Sequence, residues 1–188
     1  VVGANTLTVS NNLTTDGTGG GLTKNGTGTL TLSGAGNTYT GATTINAGTL
    51  KFQANTFNAT SRNYTIASGA VLNLDGANVF AVGNSTISGT GKLLITGGTL
   101  SGQTAASSTN VANISLGSGG TIEIASGATI YNGGWNSVYW TNNLADMVVD
   151  GTLNVADGRT VIVDALTGSG TVDKTAAGTV TLLVGVDN

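Results

Sequence analysis

Nine carboxylates are the obvious acid–base groups of this chain: Asp16, Asp75, Glu123, Asp146, Asp150, Asp157, Asp164, Asp173 and Asp187. Histidine and cysteine are absent. That removes a histidine-based triad, a thiol nucleophile and the usual zinc ligand sets. A GxSxG elbow and a phosphate-cradling loop are also missing. Gly117 to Gly120 lack the aspartates of calcium-binding nonapeptides. Asp150 and Asp173 have the same spacing as Asp164 and Asp187, so each pair fits adjacent coils of a repeat. A polysaccharide-cleaving acidic cluster is therefore one reading. However, Val149-Asp150-Gly151 and Leu74-Asp75-Gly76 are ordinary turn sequences, in which Asp bonds nearby backbone. The turn reading is the stronger one. Arg62 and Arg159 have no cluster of charges around them in sequence and read as solvated surface.

A second set of candidates is aromatic. Tyr131, Trp135, Tyr139 and Trp140 lie close together and include both tryptophans of the chain. Aromatic faces suit sugar rings, so these four are candidate glycan-stacking residues on an aromatic loop insertion at 131–145. The plainer reading is that the loop packs its own aromatics against the flank of the fold. Threonine pairs recur at Thr6/Thr8, Thr29/Thr31, Thr38/Thr40 and Thr179/Thr181. Flat threonine arrays can bind ice, but these pairs form no regular file in sequence. Threonine is also expected from β propensity alone.

The elements that must position these residues are short strands. Leu22 to Phe52 reads LTKNGTGTLTLSGAGNTYTGATTINAGTLKF. Thr29–Leu32, Thr43–Asn46 and Thr49–Phe52 alternate polar and apolar, which puts Leu30 and Leu32 on one face and the threonines on the other. Glycines punctuate the runs. The same turn–strand–turn style returns at 68–76, 121–124, 152–155 and 160–163. Residues 101–113 are the least patterned and read as a surface loop.

Composition supports a repeat fold. The chain has 188 residues, enough for one domain, with 31 Gly, no Pro and 8% charged residues. At 39% hydrophobic it is not a highly charged disordered chain. Such a sequence folds if each short apolar run stacks on a like neighbour. A net charge of −3 leaves no basic patch for phosphates, so nucleic acid is a poor partner. Apolar runs are only a few residues long, as in Val161–Val163, so no membrane insertion of this stretch is expected.

Two internal alignments suggest repetition. Ser68 through Leu93 aligns with Asp150 through Val172, and Lys24 through Leu32 with Lys174 through Leu182. The expected fold is all-β: a right-handed parallel β-helix of about 8 coils over residues 1–188, about 40 Å long at the strand spacing. A hairpin sandwich, favoured by Asn25-Gly26 and Asn132-Gly133, is the runner-up. The end coils, at 1–9 and 180–188, are expected to be the most mobile, with some end-to-end association.

The run Thr23-Lys24-Asn25-Gly26-Thr27-Gly28-Thr29-Leu30-Thr31-Leu32-Ser33-Gly34 resembles the first half of the passenger-associated repeat of bacterial autotransporters. Asn37-Thr38-Tyr39-Thr40-Gly41 and Thr44-Ile45-Asn46-Ala47-Gly48-Thr49-Leu50 resemble the second half. The resemblance is strong over 22–52 and only stylistic elsewhere. It implies a non-enzymatic stalk or scaffold segment, without cofactors, on the bacterial cell surface or outside the cell. It also implies that the chain is a piece of a longer passenger, with neighbouring coils as partners. The absence of cysteine suits a chain that crosses a membrane unfolded. The alternative is a module binding an extracellular glycan through the aromatic loop.

Overall fold

The computed structural model describes residues 4–15, 19–53, 63–76, 78–79, 85–101, 112–132, 138–139, 144–155, 159–174 and 177–185. The strands, in order, begin with β1 (Thr6–Val9), β2 (Leu22–Lys24), β3 (Thr29–Leu32), β4 (Thr43–Ile45), β5 (Thr49–Gln53), β6 (Tyr64–Ile66) and β7 (Val71–Asp75). Next come β8 (Asn78–Val79), β9 (Ser85–Gly89), β10 (Lys92–Gly97), β11 (Thr99–Ser101), β12 (Ala112–Leu116), β13 (Thr121–Ile124) and β14 (Thr129–Asn132). The last are β15 (Val138–Tyr139), β16 (Asp146–Val149), β17 (Thr152–Val155), β18 (Thr160–Val163), β19 (Leu166–Thr167), β20 (Thr171–Lys174) and β21 (Thr181–Val184).

Each strand pairs in parallel with the strand one coil away, never with its sequence neighbour. Parallel pairing needs a crossover between partners, and here the rest of the coil is that crossover. This excludes the hairpin sandwich and makes the fold a β-solenoid. The first face is an eight-stranded sheet, β1-β3-β5-β7-β10-β13-β16-β19. The second face is six-stranded, β15-β12-β9-β6-β4-β2, and the third is five-stranded, β20-β17-β14-β11-β8. The solenoid thus makes about six turns, slightly fewer than the eight expected, because the second and third faces do not extend as far as the first. β18 and β21 form a separate two-stranded sheet. Leu144 N donates to Leu116 O at 2.9 Å, and Asp164 N donates to Ala145 O at 3.0 Å. Those bonds carry the second face on from β12 to β18.

Alternation within strands builds the core. Leu30, Leu50, Leu72, Leu93, Ile122 and Met147 stack in register on the first face, all buried. Phe52, Leu74, Ile95, Ile124 and Val149 form the next column. Fully burying one such side chain is worth about 1.5–3 kcal/mol. Phe52 also meets Tyr64 edge to face, with ring centroids 6.3 Å apart. The large apolar side chains left exposed among the described residues are Leu7, Val172, Leu182, Leu183 and Val184, all on the terminal rungs β1, β20 and β21.

The internal alignments do not align faces. Leu72-Asn73-Leu74 lies on the first face, whereas Leu153-Asn154-Val155 lies on the third. The corner between β9 and β10 was matched to the corner between β19 and β20, again one face further on. The corners share one geometry. Gly89 and Gly168 turn them at φ 111° and 113°, and Gly91 N donates to Ile66 O just as Gly170 N donates to Val149 O. Self-similarity therefore reports a shared corner, not a shared place in the coil.

Candidate functional site

The stretch 22–52 holds the densest set of interlocking side chains. β2 points Lys24 inward, and the side chain is 1% exposed. Its ammonium donates to Gly26 O at 2.6 Å and to Ala47 O at 2.9 Å. One lysine thus clamps the corner of its own coil to the corner of the next. Neither of the two ion pairs found among the described residues involves it. Burial lowers its pKa from the ordinary 10.5, because desolvation disfavours the charged form. Outside that clamp, Asn46 Nδ2 donates to Asn25 Oδ1 at 2.6 Å.

The far side of the same coil is tied down in a similar way. Buried Asn37 accepts from Leu13 N at 2.8 Å, and Gly36 N donates to Asn12 Oδ1 at 2.9 Å. The Tyr39 hydroxyl lies 2.8 Å from Thr43 Oγ1, with both groups buried. Tyr39 is 3% exposed, so its ring belongs to the core and not to a surface. Three glycines press on the coil below. A Cβ at Gly34 would meet the Asn11 carbonyl at 2.7 Å, and one at Gly41 would meet Gly19 O at 2.5 Å. One at Gly48 would overlap Gly28 O and Thr27 O. Lys24, Asn37, Gly34, Gly41 and Gly48 are therefore each explained by stacking one rung on another.

Residues 22–52 match the family model described as Passenger-associated-transport-repeat. No curated protein and no solved structure matches the chain. The match covers the stretch whose motifs the sequence singles out. Lys24, Asn37, Tyr39, Gly41 and Gly48 each bridge or abut successive coils.

The carboxylates are dispersed. Asp150 Oδ1 accepts from Ser169 N at 3.0 Å and from Ser169 Oγ at 3.1 Å, capping the corner of the next coil. Asp173 stands in register with Asn154, well along β17 from Asp150, and accepts from Lys174 N at 2.7 Å. The pair does not converge. Asp75 binds Lys51 at 2.7 Å and Glu123 binds Lys92 at 2.8 Å. Both links cross diagonally between rungs on the first face, and at such exposure each is worth about 0–1 kcal/mol. Asp16, Asp157, Asp187 and Arg62 lie outside the described residues. Arg159 is half-buried and engaged with a partner, so it is not the lone solvated cation its sequence context suggests. No group of three or more acidic residues that could hold a metal occurs among the described residues. No helix among them is long and apolar enough to cross a membrane.

The aromatic candidates divide between faces. Tyr131 lies on β14 of the third face, half-buried and pointing outward, opposite to buried Ile130. Tyr139 lies on β15 of the second face, in register with Asn113. Trp135 and Trp140 lie outside the described residues.

Threonine files are present that the sequence did not reveal. On the third face Thr99, Thr129, Thr152 and Thr171 stand in register on four successive rungs. On the second face Thr23, Thr44, Thr65, Ser88 and Ser115 do the same. Unequal coil lengths hide both files, because their members recur at unequal intervals. Searching for the corner turns first, then counting outward positions from each, would expose them.

Proposed function

We propose that this chain is a non-enzymatic scaffold segment of a secreted or surface-displayed, autotransporter-like bacterial protein. One observation carries the reading: the residues of the passenger repeat are spent on locking coil to coil within an unbroken eight-stranded sheet. Such a ladder is stiff, because every rung is hydrogen-bonded above and below. It also hides its backbone from proteases, and each new coil templates the next. Folding outside the cell would then help to draw the chain outward. The test is surface display of the chain joined to a translocating barrel in a bacterial host, read by antibody binding to intact cells. Gly48→Ala combined with Lys24→Met should lower display severalfold at unchanged synthesis. Undiminished display of that variant, with full protease resistance, would remove the support for this role.

A second reading is glycan binding through the segment 131–140. The half-exposed, outward-facing ring of Tyr131 favours it. Titrating the tryptophan emission of the protein with soluble polysaccharides tests it. A saturable change lost in Trp135→Ala is expected, and a flat titration across the panel rejects it.

A further inference from the structure

We infer that the outward side of the third face is a binding strip for a neutral, hydroxyl-rich polysaccharide chain lying along the solenoid axis; this rests on the glycan-binding reading and relocates its centre. Four observations converge on that strip. Thr99, Thr129, Thr152 and Thr171 form an in-register file at the strand spacing of about 4.8 Å. Each offers a hydroxyl that both donates and accepts, beside a methyl that packs on C–H groups. The file runs over four rungs, so it follows an extended chain instead of holding one ring.

Beside the file stands Tyr131, two positions along β14 from Thr129, so its aromatic face adjoins the threonines. An aromatic face stacks on the C–H face of a pyranose ring, while the threonines reach its hydroxyls. Directly in register with Tyr131 is Asn154, whose Oδ1 is buried and has no hydrogen-bond partner. A buried acceptor without a donor is rare in a native protein. Asn154 as a whole is half-buried. A rotation of its side chain turns the amide to the surface, where a sugar hydroxyl donates to Oδ1.

Charge narrows the ligand. β11, β14 and β17 contain no charged residue, whereas both ion pairs of the described residues sit on the first face. Asp173, in register beyond Asn154, would repel an acidic sugar. On the second face the rungs β2, β4, β6 and β9 carry a hydroxyl file of their own with no aromatic at their described outward positions, and so provide an internal control.

The experiment is affinity electrophoresis of the intact chain through gels containing a soluble mixed-linkage glucan, xylan or alginate. Retardation by a neutral polysaccharide but not by alginate is expected. Tyr131→Ala and Thr152→Lys should each weaken it at least about tenfold. Tyr131→Phe and Thr65→Lys should bind as wild type, and unchanged circular dichroism checks that each variant folds. Independently of any variant, the glucan should slow amide exchange on β11, β14 and β17. Wild-type binding by Tyr131→Ala and Thr152→Lys overturns the strip. If Trp135→Ala then abolishes binding, glycan recognition by the neighbouring segment stands without the strip. Absence of retardation by every polysaccharide removes both readings, and retardation by alginate alone overturns the neutral ligand.

Discussion

Replacing Gly48 with alanine tests the rung-on-rung packing most directly, with Gly69→Ala as its matched control. Both glycines have left-handed backbones, at φ 66° and 75°. An L-residue there costs roughly 1–2 kcal/mol. The smaller freedom of the unfolded alanine chain returns about 0.4–1 kcal/mol of that. Gly69 has no atom within 4 Å of a built Cβ, so its substitution should cost about 1 kcal/mol and no more. At Gly48 the same methyl falls on the carbonyls of Thr27 and Gly28. Those carbonyls cannot swing aside freely, because Thr49 N donates to Gly28 O at 3.2 Å. Gly48 O in turn accepts from Val71 N at 2.9 Å, so the coil above resists as well. Forcing a methyl into a packed site typically costs about 1–3 kcal/mol, and a weakened hydrogen bond adds about 1 kcal/mol. The total for Gly48→Ala comes to about 3–5 kcal/mol. With a urea slope of about 2 kcal/mol/M, Gly69→Ala should lower the midpoint by about 0.5 M and Gly48→Ala by about 1.5–2.5 M. The assay is loss of circular dichroism in urea, and amide exchange should locate the loosening between β2 and β7. Equal midpoint shifts for the two variants would refute the reasoning, since only the packing differs between them.

Four further outcomes follow from the same geometry. Burial lowers the pKa of Lys24, so between its folded value and the ordinary 10.5 the unfolded chain binds more protons than the folded one. Stability should therefore rise with pH up to about 10.5, and in urea midpoints Lys24→Met should lack this increment relative to wild type. At neutral pH Lys24→Met should cost about 2–3 kcal/mol, because two corner carbonyls lose a charged donor. Phe52→Ala empties a fully buried site against Tyr64 and should cost about 3–5 kcal/mol, measured by urea unfolding. In native-state hydrogen exchange, the terminal rungs β1 and β21 should exchange fastest and β5, β7 and β10 slowest, since the former have one neighbouring rung and the latter two.

Much of this fold is legible in the chain because it is local. Alternation is a property of three to six consecutive residues, and it sorts Leu72 and Leu74 inward from Asn73 without knowledge of any partner. Glycines mark corners, and the absence of histidine and cysteine removes whole classes of chemistry. The stretch 22–52 is legible in a second sense, because its residue types are those that stacking requires. What stacks on what is a different kind of fact. Every face uses the same alternation and the same corner, so sequence comparison set β7 against β17, one face out of step. Coils of unequal length then decide the register, through backbone pairing and core columns that exist only after folding. That register brought Thr99, Thr129, Thr152 and Thr171 into one file, placed Asn154 against Tyr131, and separated Tyr131 from Tyr139 onto different sheets. Short-range pattern determined which way each side chain points. Only the closure of successive coils decided which side chains meet.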